Sequence, residues 1–369
     1  MTASPDKAAI RAEAERLFAA FRDAGALPVE ADVLQPAETL LDLYGEDIRA
    51  RAYVTADPLR GEMMLRPDFT VPVVLGHMAD GAEPARYCYK GEVFRKQDHL
   101  GPRASEYLQV GFEVFDRDVP KADAEVFSLF SSLLSDLDVT PETGDIGILM
   151  AAVRGLDTTE RRKAALLRHI WRPQRFRALL DRFAGRAPVS AARRQMLAHL
   201  AQGPAPELIA TAGPLIGLRD EGEIAARATA LIEDAEARPI LAPEAALLYD
   251  LLTLEAPARA ALAHLRGITP LLPAIEPAVD RFADRLGALS KRGIDVDALP
   301  FSASHGRTTL EYYDGFVFTF HAADPALPPV ASGGRYDALT AVLGAGRSIP
   351  AVGGIIRPNV VTALRAAKC

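Results

Sequence analysis

The sequence predicts an α+β protein: a mostly antiparallel sheet flanked by helices and interrupted by a long helical segment. Three observations predict it. Residues 86–96 and 105–115 alternate in side-chain character, as strands do, and read as a hairpin joined by the polar loop 97–104. Residues 146–265 change composition, becoming rich in Ala, Leu and Arg, with proline breaks near 173, 188, 204 and 239. Strand-like stretches then return at 301–304, 312–321 and 351–356. Strands in the first and last thirds describe one discontinuous domain, 1–145 plus 266–369, carrying a helical insert at 146–265.

Along the chain, Ile10, Ala14, Leu17, Phe18 and Phe21 fall at helical spacing within 6–25, and Gly25 stops that helix. Residues 28–36 are extended, and Pro36 opens a helix over 37–44, where a missing N–H costs nothing. A strand at 52–56 turns at Asp57-Pro58 and Gly61 into residues 62–66, and a helix with Pro72 in its first turn covers 70–78. The segment 121–135 is amphipathic, with Ala124, Phe127, Leu129, Phe130 and Leu133 on one side. The spacing of Leu271, Ile275, Val279, Phe282 and Leu286 predicts one helix over 270–291. Ser332-Gly-Gly-Arg-Tyr-Asp337 reads as a turn into a helix at 338–343, and a terminal helix covers 359–367. The insert opens on a basic stretch containing Arg161, Arg162, Lys163, Arg168, Arg172, Arg175 and Arg177. It reads as a solvated helical face, with a partner surface or an RNA contact as the alternatives.

Composition narrows the function classes. With 369 residues and a net charge of −7, the chain is a poor non-specific nucleic-acid binder. Its cysteines, Cys88 and Cys369, form neither a disulfide framework nor a zinc-binding pattern, which fits a reducing compartment. The charged N-terminus lacks a signal-peptide core and no apolar run is long enough to span a bilayer, so a cytoplasmic protein is expected. No phosphate-binding GxxxxGK[ST], GxSxG elbow or HExxH pair occurs, and no metal or cofactor is expected.

What remains is a set of polar residues on strand faces: Asp68, Arg95, Glu106, Gln109, Glu113, Glu311, Tyr312 and Tyr313. Each alone could be the wet face of an antiparallel sheet. In a chain with enough helix to cover both sheet faces, together they suit the lining of a pocket. Carboxylates and a glutamine facing one way suit a cationic, hydrogen-bonding ligand, and Tyr312 and Tyr313 could flank a flat ring. An amino acid bearing an ammonium and an imidazole would satisfy this set.

Five ordered motifs carry a resemblance. Leu65-Arg-Pro-Asp-Phe-Thr70, Tyr89-Lys-Gly-Glu-Val-Phe-Arg95, Glu106-Tyr-Leu-Gln-Val-Gly-Phe-Glu113, Leu310-Glu-Tyr-Tyr313 and Ser332-Gly-Gly-Arg-Tyr-Asp337 resemble the histidyl-tRNA synthetase catalytic core. The resemblance implies the class II synthetase fold and a dimer formed through the segment around Pro36. It also implies that Asp68 and Thr70 hold an amino group. Gln109, Glu113 and Tyr313 would hold the imidazole side, with Arg95 near the carboxylate.

Departures from that pattern point away from catalysis. The arginine expected before Leu310 is replaced at Thr308-Thr309, and Arg307 stands one place early, which in a strand sends a side chain to the opposite face. The ATP-clamping arginine of the last motif falls near Val360, behind Pro358. The expected Arg-Glu-Phe reads Ser105-Glu106-Tyr107, and the chain stops at Cys369, where an anticodon-binding domain would follow. Loss of one electrostatic clamp costs roughly 10²–10³ in rate. The combination resembles the synthetase-like regulatory subunits of ATP phosphoribosyltransferase. That family implies a non-catalytic chain partnered with a short catalytic subunit in the first step of histidine biosynthesis, with L-histidine as feedback effector. The alternatives are a truncated ligase that still activates an amino acid, and a tRNA-binding module; the missing anticodon domain argues against tRNA.

Overall fold

The computed structural model describes residues 6–38, 52–97, 104–211, 213, 217–307 and 313–367. Twelve strands occur among them: β1 (Leu27–Pro28), β2 (Leu34–Pro36), β3 (Val54–Asp57), β4 (Gly61–Leu65), β5 (Ala85–Phe94), β6 (Glu106–Phe115), β7 (Val139–Asp145), β8 (Glu255–Pro257), β9 (Pro300–Ser302), β10 (Phe316–Ala322), β11 (Ala331–Arg335) and β12 (Ala351–Ile356). Nine form one sheet in the order β1-β5-β6-β12-β11-β10-β7-β9-β8, and β2-β4-β3 form a small second sheet. Only β1–β5 and β7–β9 pair in parallel; the other neighbours of the large sheet are antiparallel.

The β5–β6 hairpin sets the register of the centre, with Gly91 opposite Gln109 and Tyr87 opposite Glu113. On the outer face of β6, Val110, Phe112 and Val114 are fully buried. The helix Lys7–Asp23, capped by Asp6 accepting from the Ala8 N–H, covers this face with Leu17 and Phe21; the Phe21 and Phe112 rings lie 5.3 Å apart. The helix Val119–Leu133 starts under an Asp118 cap with Pro120 in its first turn, where proline is pre-organised. It lays Phe127 and Phe130 against Phe316, Phe318 and Phe320 of β10. Below them, Asp123 receives both Arg335 and Arg285, and Arg285 also reaches Asp145 at 2.6 Å. Buried charges persist where they are paired in this way.

Several elements differ from their sequence reading. The single helix expected over 270–291 is broken into two 3₁₀ turns, Thr269–Leu271 and Pro273–Ile275, before the helix Glu276–Lys291. Pro270 and Pro273 lack the N–H that a continuous helix needs there. Residues 332–335, read as a turn, instead form most of β11, central in the sheet. Gly333 and Gly334 mark close backbone approach: a Cβ on Gly333 would sit 2.3 Å from the Gly353 carbonyl oxygen. The strand expected over 312–321 runs from Phe316 to Ala322. Glu255–Pro257, inside the expected insert, pairs with β9 and so joins the large sheet. Most of the helix read over 37–44 lies outside the described residues.

Among the described residues, six helices follow one another from Glu160–Arg168 to Ala242–Thr253. In the basic stretch, Arg162 is not solvated: it is 7% exposed, donates from Nε to Asp234 Oδ1 at 2.7 Å and from Nη1 to the Arg238 carbonyl. Arg307 also turns to these helices. Its Nε donates to the Ile170 carbonyl at 2.7 Å and its guanidinium lies over the Phe176 ring.

Candidate functional site

A cavity of about 170 Å³ opens on the inner face of the large sheet, over β6, β12, β11 and β10. Its floor is low because of glycine. Gly353 lies opposite Glu113 in the β6–β12 register, and a Cβ there would stand 1.5 Å from Glu113 Oε2. Gly354 and Gly333, paired across β11 and β12, continue the floor.

Glu113 is the most enclosed acid in the cavity, at 1% exposed. Three hydroxyls donate to it: Thr70 to Oε1 at 3.1 Å, Tyr89 to Oε1 at 2.9 Å and Tyr336 to Oε2 at 2.6 Å. Burial pushes its carboxyl up to about 7; the hydroxyls pull against that, and Asp68 adds to the rise. The Tyr89 and Tyr336 phenols are held well above their ordinary range, by burial first and then by the Glu113 charge. Tyr89 is fixed by stacking on Phe69, with ring centroids 4.5 Å apart. Phe69 in turn lies under Arg66, whose Nε donates to the Glu92 carbonyl at 2.8 Å. The arginine of the first motif therefore shapes the wall from behind.

Gln109, four residues before Glu113 and on the same strand face, is also 1% exposed. Its Oε1 has no hydrogen-bond partner among the described residues. A buried acceptor of this kind is an opening for a donor on a ligand.

The cationic side is formed by Arg95 and Arg357. Arg95 Nε donates to the Pro67 carbonyl at 2.9 Å, and Arg357 Nη1 to the Pro329 carbonyl at 2.7 Å. Burial pulls the Arg357 guanidinium down to about 10, Arg95 adds to the fall, and Tyr107 opposes it.

Of the residues picked from sequence, Asp68, Thr70, Arg95, Gln109, Glu113 and Tyr313 line this one cavity, and Tyr312 lies outside the described residues. Glu106 is exposed and does not line it. Arg307 does not line it either. Among the lining residues not singled out are Tyr336 and Arg357. Tyr336 sat inside a motif read as a turn. Arg357 was passed over in favour of position 360, where Val360 is in fact 2% exposed in the core. No group of three or more His, Cys, Asp or Glu among the described residues could hold a metal ion, and no helix among them is long and apolar enough to cross a membrane. The arrangement offers acceptors and cations to the same small volume, which suits a zwitterion.

Comparison with known proteins fits this architecture. The family model for histidyl-tRNA synthetase matches residues 3–256 and 223–361. An ATP phosphoribosyltransferase regulatory subunit from Mesorhizobium japonicum is 35% identical, covering 97% of this chain and 98% of its own. One from Rhizobium rhizogenes is 31% identical, covering 92% and 94%. Among solved structures, an ATP phosphoribosyltransferase regulatory subunit/histidyl-tRNA synthetase from Bacillus halodurans superposes with a TM-score of 0.68 at 20% identity, over 99% of this chain and 82% of that one. The histidyl-tRNA synthetase from Nostoc superposes at 0.63 with 16% identity, over 100% and 75%. These two speak for the fold alone. With sequence identity sustained over nearly the whole length of its relatives and a histidyl-tRNA synthetase fold beneath it, the chain belongs to the family of ATP phosphoribosyltransferase regulatory subunits.

Proposed function

We propose that this chain is the non-catalytic regulatory subunit of ATP phosphoribosyltransferase, acting with a catalytic subunit in the first step of L-histidine biosynthesis, and that its cavity holds L-histidine as effector. Family membership supports the first part. The observation that carries the second is the pairing of Gln109 and Glu113 on one buried strand face. One has an unmatched acceptor; the other is a carboxylate held in place by three hydroxyls. Asp68 and Thr70 would take the ammonium, Gln109, Glu113 and Tyr313 the imidazole side, and Arg95 the carboxylate. The catalytic partner would be of the short form, and the chain would pair with itself through the segment around Pro36.

L-Histidine should raise the thermal midpoint of the purified chain, because a ligand that binds only the folded state stabilises it by mass action. Gln109→Ala and Glu113→Ala should abolish that rise. Variants that still respond like wild type would move the effector site elsewhere in the complex. Co-expression with a short catalytic subunit should yield a complex whose turnover is histidine-sensitive. Histidine-dependent exchange of pyrophosphate into ATP by the purified chain would instead make it a ligase.

A further inference from the structure

We propose that the elbow between the helices Glu160–Arg168 and Pro173–Phe183 is the face on which this chain meets an acidic surface of its catalytic partner. This rests on the regulatory-subunit reading given above, and adds to it the surface that makes the contact.

The elbow gathers cations that nearby acids do not neutralise. Arg168 closes the first helix, and Arg175 lies in the first turn of the second; both are exposed, as is Arg177. Among the described residues, none of the three has an ion pair. The acids of this region are engaged elsewhere: Glu160 with Lys163, Asp234 with Arg162 and Arg193, and Asp181 with the Tyr249 hydroxyl. The His169 ring at the break is pushed below its ordinary value by burial first, then by Arg172, Arg175 and Arg168. Beside them Arg307, 2% exposed, is pulled down to about 10 by burial and then by Arg177. On a chain of net charge −7 this is a local inversion of sign, and an acidic surface docked there would relieve the repulsion.

Solvation accounts for an exposed arginine, but not for cations gathered over the one break that is bonded to the cavity wall. Trp171 Nε1 donates to the Tyr313 carbonyl at 3.3 Å, and Arg307 Nε donates to the Ile170 carbonyl at 2.7 Å. Ile170 and Trp171 are thereby tied to Tyr313 and to the turn bearing His305 and Gly306, all three of which line the cavity. A partner seated on the elbow touches the back of that wall. Arginine forks match carboxylates and are enriched at protein interfaces. A polynucleotide would run beyond the elbow and bring its phosphates against an acidic chain, whereas an acidic patch on a folded subunit can be confined to it.

Binding of the full chain to the catalytic subunit at rising sodium chloride tests the assignment, with tRNA as a second probe. The wild-type complex should weaken as salt rises. Arg168→Glu combined with Arg175→Glu should weaken it by roughly 10- to 100-fold at low salt and flatten the salt dependence. Arg168→Gln combined with Arg175→Gln should fall between. Both arginines are exposed, so the thermal midpoint of the isolated chain should stay at the wild-type value; if the glutamate pair lowers it, the glutamine pair decides. A complex indifferent to both pairs of substitutions overturns the proposal while the regulatory-subunit reading stands. Binding of tRNA that the substitutions abolish, with the protein complex unaffected, gives the elbow to RNA and overturns it too. A wild-type chain that forms no complex with the catalytic subunit overturns this surface and the regulatory-subunit reading together.

Discussion

The Tyr336 hydroxyl donates to Glu113 Oε2 at 2.6 Å, linking the residue that follows β11 to the C-terminal half of β6, with β12 between those strands. It is the shortest of the three bonds that hold the carboxylate. Tyr336→Phe deletes the donor and keeps the ring. The expected cost is about 1–3 kcal/mol, because a buried acceptor is left short of a partner. Urea unfolding measures it, and an unchanged midpoint would mean that the bond contributes nothing net.

Stability should fall as pH rises from the ordinary glutamate range, 4.5, to about 7. The sign follows from the raised carboxyl of Glu113. Between those two values the folded chain holds the proton that the unfolded chain has released, so alkalinity favours unfolding. Asp314, raised to about 7 by burial first and then by Asp337, acts in the same direction. Glu113→Gln should therefore flatten the slope without abolishing it. Denaturant midpoints collected across that interval give the answer, and a slope identical to wild type would show that Glu113 is ionised throughout.

Asp123→Asn should be among the most damaging substitutions outside the cavity. Asp123 accepts from Arg335 Nη2 at 2.7 Å and from Arg285 Nη1 at 3.1 Å, and all three residues are at most 5% exposed. Burial opposes the charge on Arg335, but Asp123 and Asp337 hold it protonated, well above the ordinary arginine range. Loss of one buried partner typically costs about 3–5 kcal/mol. Soluble yield and the unfolding midpoint should both drop; wild-type stability would show that Asp145 and Asp337 suffice for the two arginines.

Trp171 is the only tryptophan in the chain, and its Nε1 donates to the carbonyl of Tyr313, a residue of the cavity wall, at 3.3 Å. Histidine binding should therefore change the intrinsic fluorescence. Gln109→Ala should remove the response while leaving the unliganded spectrum intact. A titration that stabilises the chain without any change in emission would place the ligand away from Tyr313.

The sheet centre was legible in the sequence because the β5–β6 hairpin alternates strictly, and a period of two leaves little choice of face. Gln109 and Glu113 could be picked because polar residues on that face had to point somewhere enclosed. Local rules failed where tertiary contact decides. Ser332-Gly-Gly reads as a turn by every short-range signal, yet those glycines lie in a central strand, where Gly353 and Phe318 leave no room for a Cβ on Gly333, nor Phe316 and Tyr313 for one on Gly334. Tyr336 was hidden by the same misreading. Arg357 was missed because attention to position 360 assumed a fixed register, and only the folded chain brings its guanidinium beside Arg95. Arg162 looked like part of a solvated basic face because Asp234 and Arg238, its partners, lie far along the chain.

The strand pairing that sets Glu113 opposite Gly353 also fixes when this cavity can exist. One wall is translated early, at Asp68 to Glu113, and the other late, at Tyr313 to Arg357. Such distant pairing forms slowly, and a chain still attached to the ribosome lacks half the lining. A fragment that ends before β12 has its hairpin but lacks Gly353, Gly354 and Arg357, and with them part of the floor and one cation of the cavity.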